Sequence, residues 1–170
     1  MLSFDIRSLE AKATQVDGSV APDDSIWEEG DALPAAPIDV TGRLSSAGEG
    51  RFYFSGHLKG SATLPCRKCL EEVSVPAGEE VHLIFAETGA DEAEDPDVFL
   101  YEPGARALDL RAAVRETWLL TAPAFVECRE NCRGLCVSCG TNLNESACNC
   151  APTKTDNRWD ALLKLQSDAR

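Results

Sequence analysis

The sequence predicts an α+β fold: a curled antiparallel β-sheet with a packed helix, a zinc-ribbon-like C-terminal segment and a terminal helix. Three observations carry that expectation. Residues 51–64 place Phe52, Phe54, Gly56, Leu58, Gly60, Ala62 and Leu64 on one face and Tyr53, Ser55, His57, Lys59, Ser61 and Thr63 on the other, the period of a half-buried strand. Leu110, Val114 and Trp118 recur at i, i+4 and i+8, one stripe of a helix. All eight cysteines stand in short-spaced pairs, six of them between Cys128 and Cys150. The expected organisation is a core over residues 1–127 with long acidic loops. A metal-binding segment and C-terminal helix, packed on that core, follow over residues 128–170.

Each element has its own signal. Leu2, Phe4 and Ile6 alternate as a first strand. Residues 10–35, with Gly18, Pro22, Asp23, Asp24 and Pro34, read as a long polar connection in which Trp27 lids the core edge. Ile38 and Val40 alternate as a strand, and SSAGEG supplies turn residues. The long strand 51–64 is expected to bend where Gly56 and Gly60 fall on its inner face. Cys66 and Cys69 then turn the chain into 71–75, and Val81, Leu83 and Phe85 continue on another strand. That sets the first cysteine pair at a hairpin tip. Residues 86–104 are rich in acid and lack periodicity, which predicts a solvated loop. Asp109 caps a helix that Pro123 stops, with Arg111 and Arg115 on its solvated side. A last helix is expected from Asn157, capped by Asp156, with Trp159, Leu162, Leu163 and Gln166 on one side.

The cysteines carry the chemistry. A Cys-x-x-Cys turn puts two sulfurs on one side of a tight knuckle, the separation a tetrahedral zinc requires. Cys66/Cys69 and Cys136/Cys139 are such knuckles, Cys148/Cys150 is a closer pair, and Cys128/Cys132 is four apart. Gly140 can take the positive φ that turns later amides back toward a thiolate. Eight sulfurs make two structural zinc sites of four cysteines each. Proximity groups Cys136, Cys139, Cys148 and Cys150; by elimination Cys66, Cys69, Cys128 and Cys132 share the other ion. Disulfides would need an oxidising compartment, and the first twelve residues show no basic n-region, apolar run or cleavage site. A redox Cys-x-x-Cys normally opens a helix, and VSCGTNLN has no apolar period to continue one.

Charge and length bound the function. The chain has 170 residues, 44% of them hydrophobic, enough for one ordinary core and a small metal-held appendage. No apolar stretch approaches the ~20 residues of a membrane span, and a cytoplasmic location is expected. The formal charge is -13, and all of the excess lies early: residues 1–100 hold 7 Lys+Arg against 20 Asp+Glu, residues 101–170 hold 9 against 9. Such a surface is a poor general binder of phosphate backbones and a good match for basic proteins. Arg67, Lys68, Arg129 and Arg133 form a local exception around the cysteines. They either touch RNA or offset thiolate charge. His57 and His82 lie on strand faces without a nucleophile pattern nearby, and no phosphate loop, dinucleotide fingerprint or hydrolase elbow is present.

A strand ending in CRKCL, then LDLRAAVRETWLLTAPAFVEC, CRGLCVSCGTNLNESACNC and DNRWDALLKL, together resemble the YceD-type family, domain of unknown function 177. The likeness covers roughly residues 35–167, and Asn157 departs from it where a proline is common. The resemblance implies a role in accumulation of large-subunit ribosomal RNA, with no established enzymatic activity. A noncatalytic biogenesis factor that binds a ribosomal protein, an assembly intermediate or rRNA is therefore expected. The alternative is a zinc-stabilised enzyme acting on RNA or a small molecule. An open coordination position would mark the enzyme; two saturated sites would mark the binding module.

Overall fold

The architecture is that of a computed structural model, which describes residues 2–89 and 97–151. At its centre is the alternating stretch read from sequence. Phe52, Phe54, Leu58 and Ala62 are buried, while Tyr53, His57, Lys59 and Thr63 are exposed. This strand, β4 (Arg51–Pro65), lies in the middle of a five-stranded sheet with β2 (Thr14–Val20), β3 (Ile38–Gly48), β5 (Glu72–Glu87) and β6 (Val98–Tyr101), in the order β2-β3-β4-β5-β6. The neighbours pair antiparallel except β6, which runs parallel to β5 through Ile84↔Val98 to Glu87↔Tyr101. The sheet is therefore mixed rather than wholly antiparallel. A second, two-stranded sheet joins β1 (Ser3–Asp5) to β7 (Ala107–Asp109).

Helix α2 (Arg111–Thr121) packs on the inner face of the large sheet with Ala113, Val114 and Trp118 buried. Trp118 meets the sheet at Gly60, where an added Cβ would stand 2.8 Å from its Cζ3. A cross-strand pair, Gly42↔Gly56, likewise leaves room for the Phe54 ring; a Cβ on Gly56 would lie 2.6 Å from Phe54 Cζ. These inner-face glycines are seats for aromatic rings. Trp27 packs at the edge of the same core and donates its indole N–H to the Ala21 carbonyl at 2.8 Å, as the sequence reading had it.

Several expectations need correction. Ile6 does not continue the first strand. It opens a short helix, α1 (Ile6–Ala11), because the Asp5 carboxylate accepts from the Ser8 amide at 2.9 Å and Ile6 and Leu9 bury together. The polar connection 10–35 contains strand β2, whose Val16 and Val20 are buried. Residues 72–75 and 81–85 belong to the single strand β5, running through Pro76, while Glu71 precedes it. The acidic break holds strand β6, with Phe99 and Tyr101 packed against the core. Helix α2 starts at Arg111, one residue later than a cap at Asp109 would give, although Asp109 Oδ1 still accepts from the Arg111 amide at 3.0 Å. The arginines of α2 are paired, not solvated: Arg111 with Asp24 and Asp109, Arg115 with Asp31 and Glu28. The expected last helix and the acidic run 91–95 lie outside the described residues.

Candidate metal centres

Strands β4 and β5 are joined by the Cys66/Cys69 knuckle, so the hairpin tip presents both sulfurs. Two hydrogen bonds close it: the Cys66 amide to the Glu71 carbonyl at 2.8 Å, and the Leu70 amide to the Cys66 carbonyl at 2.9 Å. The Cys136/Cys139 knuckle repeats the pattern, with the Cys136 amide on the Thr141 carbonyl and the Gly140 amide on the Cys136 carbonyl, each at 2.8 Å. In both, the residue after the second cysteine is left-handed: Leu70 at φ 63° and Gly140 at φ 73°. The sequence announces this turn at Gly140. Leu70 gives no such signal.

The fold brings the eight sulfurs into two groups, Cys66 with Cys69, Cys128 and Cys132, and Cys136 with Cys139, Cys148 and Cys150. Within each group the sulfurs all lie within 4.8 Å of one another. Proximity along the chain predicts the second of these groups, and elimination predicts the first. In the first, Cys66 Sγ is 3.8 Å from Cys132 Sγ, and Cys69 Sγ is 3.6 Å from Cys128 Sγ. A tetrahedron of Zn–S bonds near 2.3 Å has S···S edges of about 3.8 Å, whereas a disulfide is about 2.05 Å. Both groups could hold a metal ion.

The two sites differ in surroundings. The first is largely inside: Cys66, Cys69 and Cys132 are buried, with Val73 and Leu135 packed against them. The chain after α2 reaches it through a parallel bridge between Cys66 and Val126, with the Arg67 amide on the Val126 carbonyl at 2.9 Å. The second group is half-exposed, and Cys139 and Cys150 are open to solvent.

Backbone and side-chain donors prepare particular thiols for ionisation. Burial opposes charge on Cys66 most strongly of any single influence. Amides of Cys128, Cys69 and Lys68 together outweigh it and bring the thiol down to about 6. The Asn144 side chain is the leading cause of a lowered Cys132. Cys139 falls to about 6, first through the Thr141 hydroxyl and then through its amide. Cys136 is lowered too, by the Ser138 and Cys139 amides, whereas Cys150 is raised to about 12 chiefly by sharing protons with Cys139 and Cys136. Thiols that crowd one another without a cation divide into those that ionise and those that keep the proton; a bound cation deprotonates all four.

Of the four basic residues near the cysteines, two are already paired. Glu127 accepts from the Arg67 guanidinium and from Lys68 Nζ, the latter at 2.7 Å. These contacts hold the Glu127 carboxyl below the usual range, Lys68 contributing most. Arg129 and Arg133 are exposed and have no side-chain partner among the described residues. The pairing with Glu127 was not foreseen, since nothing at spacing 60 in the sequence marks it. His57 and His82 are on the exposed sheet face, as expected; His82 Nδ1 lies 2.7 Å from the Tyr53 hydroxyl. No helix among the described residues is long and apolar enough to cross a membrane.

Two curated plant proteins are similar to this chain. One is a maize protein named large ribosomal RNA subunit accumulation protein YCED homolog 1, chloroplastic, 31% identical over 154 residues, or 71% of this chain and 51% of the maize protein. The Arabidopsis thaliana protein of the same name is 27% identical over 70 residues, 41% of this chain and 22% of that protein. The chain thus spans about half the length of the maize relative. No solved structure matches it. The sequence model of the family described as large ribosomal RNA subunit accumulation protein YceD matches residues 54–166, from the central strand through both cysteine groups, and the chain belongs to that family.

Proposed function

We propose that this chain is a noncatalytic, zinc-binding ribosome-biogenesis factor of the cytoplasm, supporting accumulation of large-subunit ribosomal RNA by binding a ribosomal protein or rRNA. The observation that carries the reading is the closed composition of both sulfur groups within a YceD family member. Four thiolates saturate a tetrahedral zinc and leave no position for substrate. The metal's work is then folding: one ion fastens the hairpin tip to residues 126–132, and the other closes the 136–150 loop. Eight thiols without a disulfide fit a reducing compartment.

Between the two kinds of partner, the charge distribution favours protein. Glu127 pairs with two of the four basic residues that RNA phosphates would use and lowers their net charge by one, while the first hundred residues carry the whole acidic excess. A basic partner would be steered to this surface, with an association rate that falls with salt. Two measurements test the proposal. Elemental analysis of the purified protein should give two zincs per chain, and a tagged copy should recover a large-subunit protein or rRNA. One metal per chain, or disulfide-bridged cysteines, would overturn the metal assignment; recovery of no ribosomal component would overturn the binding assignment.

A further inference from the structure

Strand β5 pairs with β4 from Glu72 to Phe85, but β6 covers its other side only from Ile84 to Glu87. Pairing with β4 runs without a register shift from Phe52↔Phe85 to Pro65↔Glu72. The two prolines in this ladder fix which backbone groups face outward. Proline has no N–H, and both Pro65↔Glu72 and Ser61↔Pro76 fall in the class of antiparallel pairs that exchange no hydrogen bonds. By the period of two, Gly78, Glu80 and His82 share that class and turn their N–H and C=O groups away from β4. No described strand receives them. The open stretch 78–82 is bounded by Pro76 at one end and by the start of β6 at the other, a slot about 17 Å long.

We propose that this edge of β5 is a docking site for an extended, Lys/Arg-bearing peptide segment of a partner protein, added as a strand in line with β6. Backbone groups would provide the pairing, as in other strand-addition complexes, and the flanking carboxylates would select the charge. Glu72, Glu79 and Glu80 are exposed along the strand. The same charges disfavour a second copy of this chain: two-fold antiparallel pairing of the stretch 78–82, centred on Glu80, would set Glu80 of one copy opposite Glu80 of the other, a destabilising like-charge pair. The inference rests on the protein-partner reading above and places that partner.

The probe is a capped eight-residue peptide of alternating Lys and Val, titrated into the metal-loaded protein while amide exchange is followed. Binding with new protection of the Glu80 and His82 amides is the expected result. Glu80→Pro removes an outward N–H together with one flanking carboxylate, so Glu80→Gln serves as the control for the charge. The proline variant should keep the melting temperature and weaken the peptide about tenfold beyond that control, the effect of losing one hydrogen bond. Gly78 is unsuitable for this test, because a Cβ there would lie 2.6 Å from the Leu58 carbonyl oxygen. A Thr/Val peptide should bind more weakly than the Lys/Val peptide. Binding without edge protection, or unaffected by Glu80→Pro, overturns the placement and leaves a basic partner elsewhere on the surface. No binding at all overturns both. Concentration-dependent dimerisation that protects the same amides would make a second copy the occupant and overturn the proposal.

Discussion

Asn144 donates its side-chain amide to Cys132 Sγ at 3.4 Å, so a residue from the loop of the second sulfur group supports a thiolate of the first. The same loop is anchored further. Arg133 gives its amide to Asn144 Oδ1 at 2.8 Å, Asn142 reaches Glu71 at 2.7 Å, and the Leu135 amide meets the Lys68 carbonyl at 3.0 Å. The two centres are neighbours joined by hydrogen bonds. Outer-shell partners of metal ligands typically contribute 10–100-fold in affinity. Asn144→Ala should therefore weaken metal at the first group by about tenfold or more while leaving the four ligands of the second unchanged. Chelator competition on each site, followed by Co²⁺ substitution spectra, reads this directly.

Trp118 lies against the bare α-carbon of Gly60, and Gly60→Ala tests that seat. The added methyl meets the indole at 2.8 Å and should destabilise by about 1–3 kcal/mol, the usual cost of overpacking. Trp118→Ala should cost more, about 3–5 kcal/mol. Urea melts of the metal-loaded protein separate the two. If Gly60→Ala were neutral, the close approach would not constrain the core.

What the sequence revealed follows physical rules of range. The inner face of β4 was legible because a fifteen-residue strand repeats its period many times. The sulfur groups were legible because Cys-x-x-Cys is a local geometry. Strand β2 was hidden: Val16 and Val20 are separated by Gly18 and flanked by acids, so composition outweighed a short alternation. Helix α1 was hidden for the opposite reason, since Phe4 and Ile6 mimic a strand until the Asp5 cap is considered. Arg115 reaching Asp31, and Glu127 reaching Arg67 and Lys68, join residues 84, 60 and 59 apart. No local pattern encodes such distances.

The Asp31–Arg115 pair also predicts acid sensitivity. Arg115 Nε meets Asp31 Oδ2 at 2.7 Å and its Nη2 meets Oδ1 at 3.0 Å. Those bonds, Arg115 foremost, hold the Asp31 carboxyl below its ordinary value. A carboxyl depressed in the folded state stabilises fully above the unfolded-state value of about 3.9. That stability is lost as pH falls through the lower folded-state value. Asp31→Asn should then reduce stability at neutral pH and flatten its decline between about pH 4 and the acid limit. Equal acid slopes in the two proteins would show that this pair contributes nothing to the transition.

Glu127 decides how much positive charge the first sulfur group presents. Glu127→Gln should free Arg67 and Lys68, which it now binds. If RNA touches this face, affinity for single-stranded RNA should rise and the salt slope should steepen by up to about two, one for each freed contact. If the four basic residues only offset thiolate charge, RNA affinity should stay flat and metal affinity at the first group should rise instead. Filter binding across salt, alongside chelator competition, distinguishes these outcomes.

Leu70 occupies a position made for glycine. Its φ of 63° matches the 73° of Gly140 at the equivalent place in the other knuckle. A side chain in this region costs about 1–2 kcal/mol, and the leucine recovers little by packing, since 63% of it is exposed. Glycine would relieve the strain but lose about 0.5–1 kcal/mol to greater freedom in the unfolded chain. The net expectation for Leu70→Gly is a gain of up to about 1.5 kcal/mol, seen as a melting temperature higher by about 2–4 °C per kcal/mol. Leu70→Ala is the control, because alanine keeps the Cβ and the strain while removing the exposed apolar atoms. Stabilisation by glycine alone assigns the effect to backbone conformation. Equal stabilisation by alanine would assign it to the exposed side chain, and the comparison of the two knuckles would lose its energetic meaning.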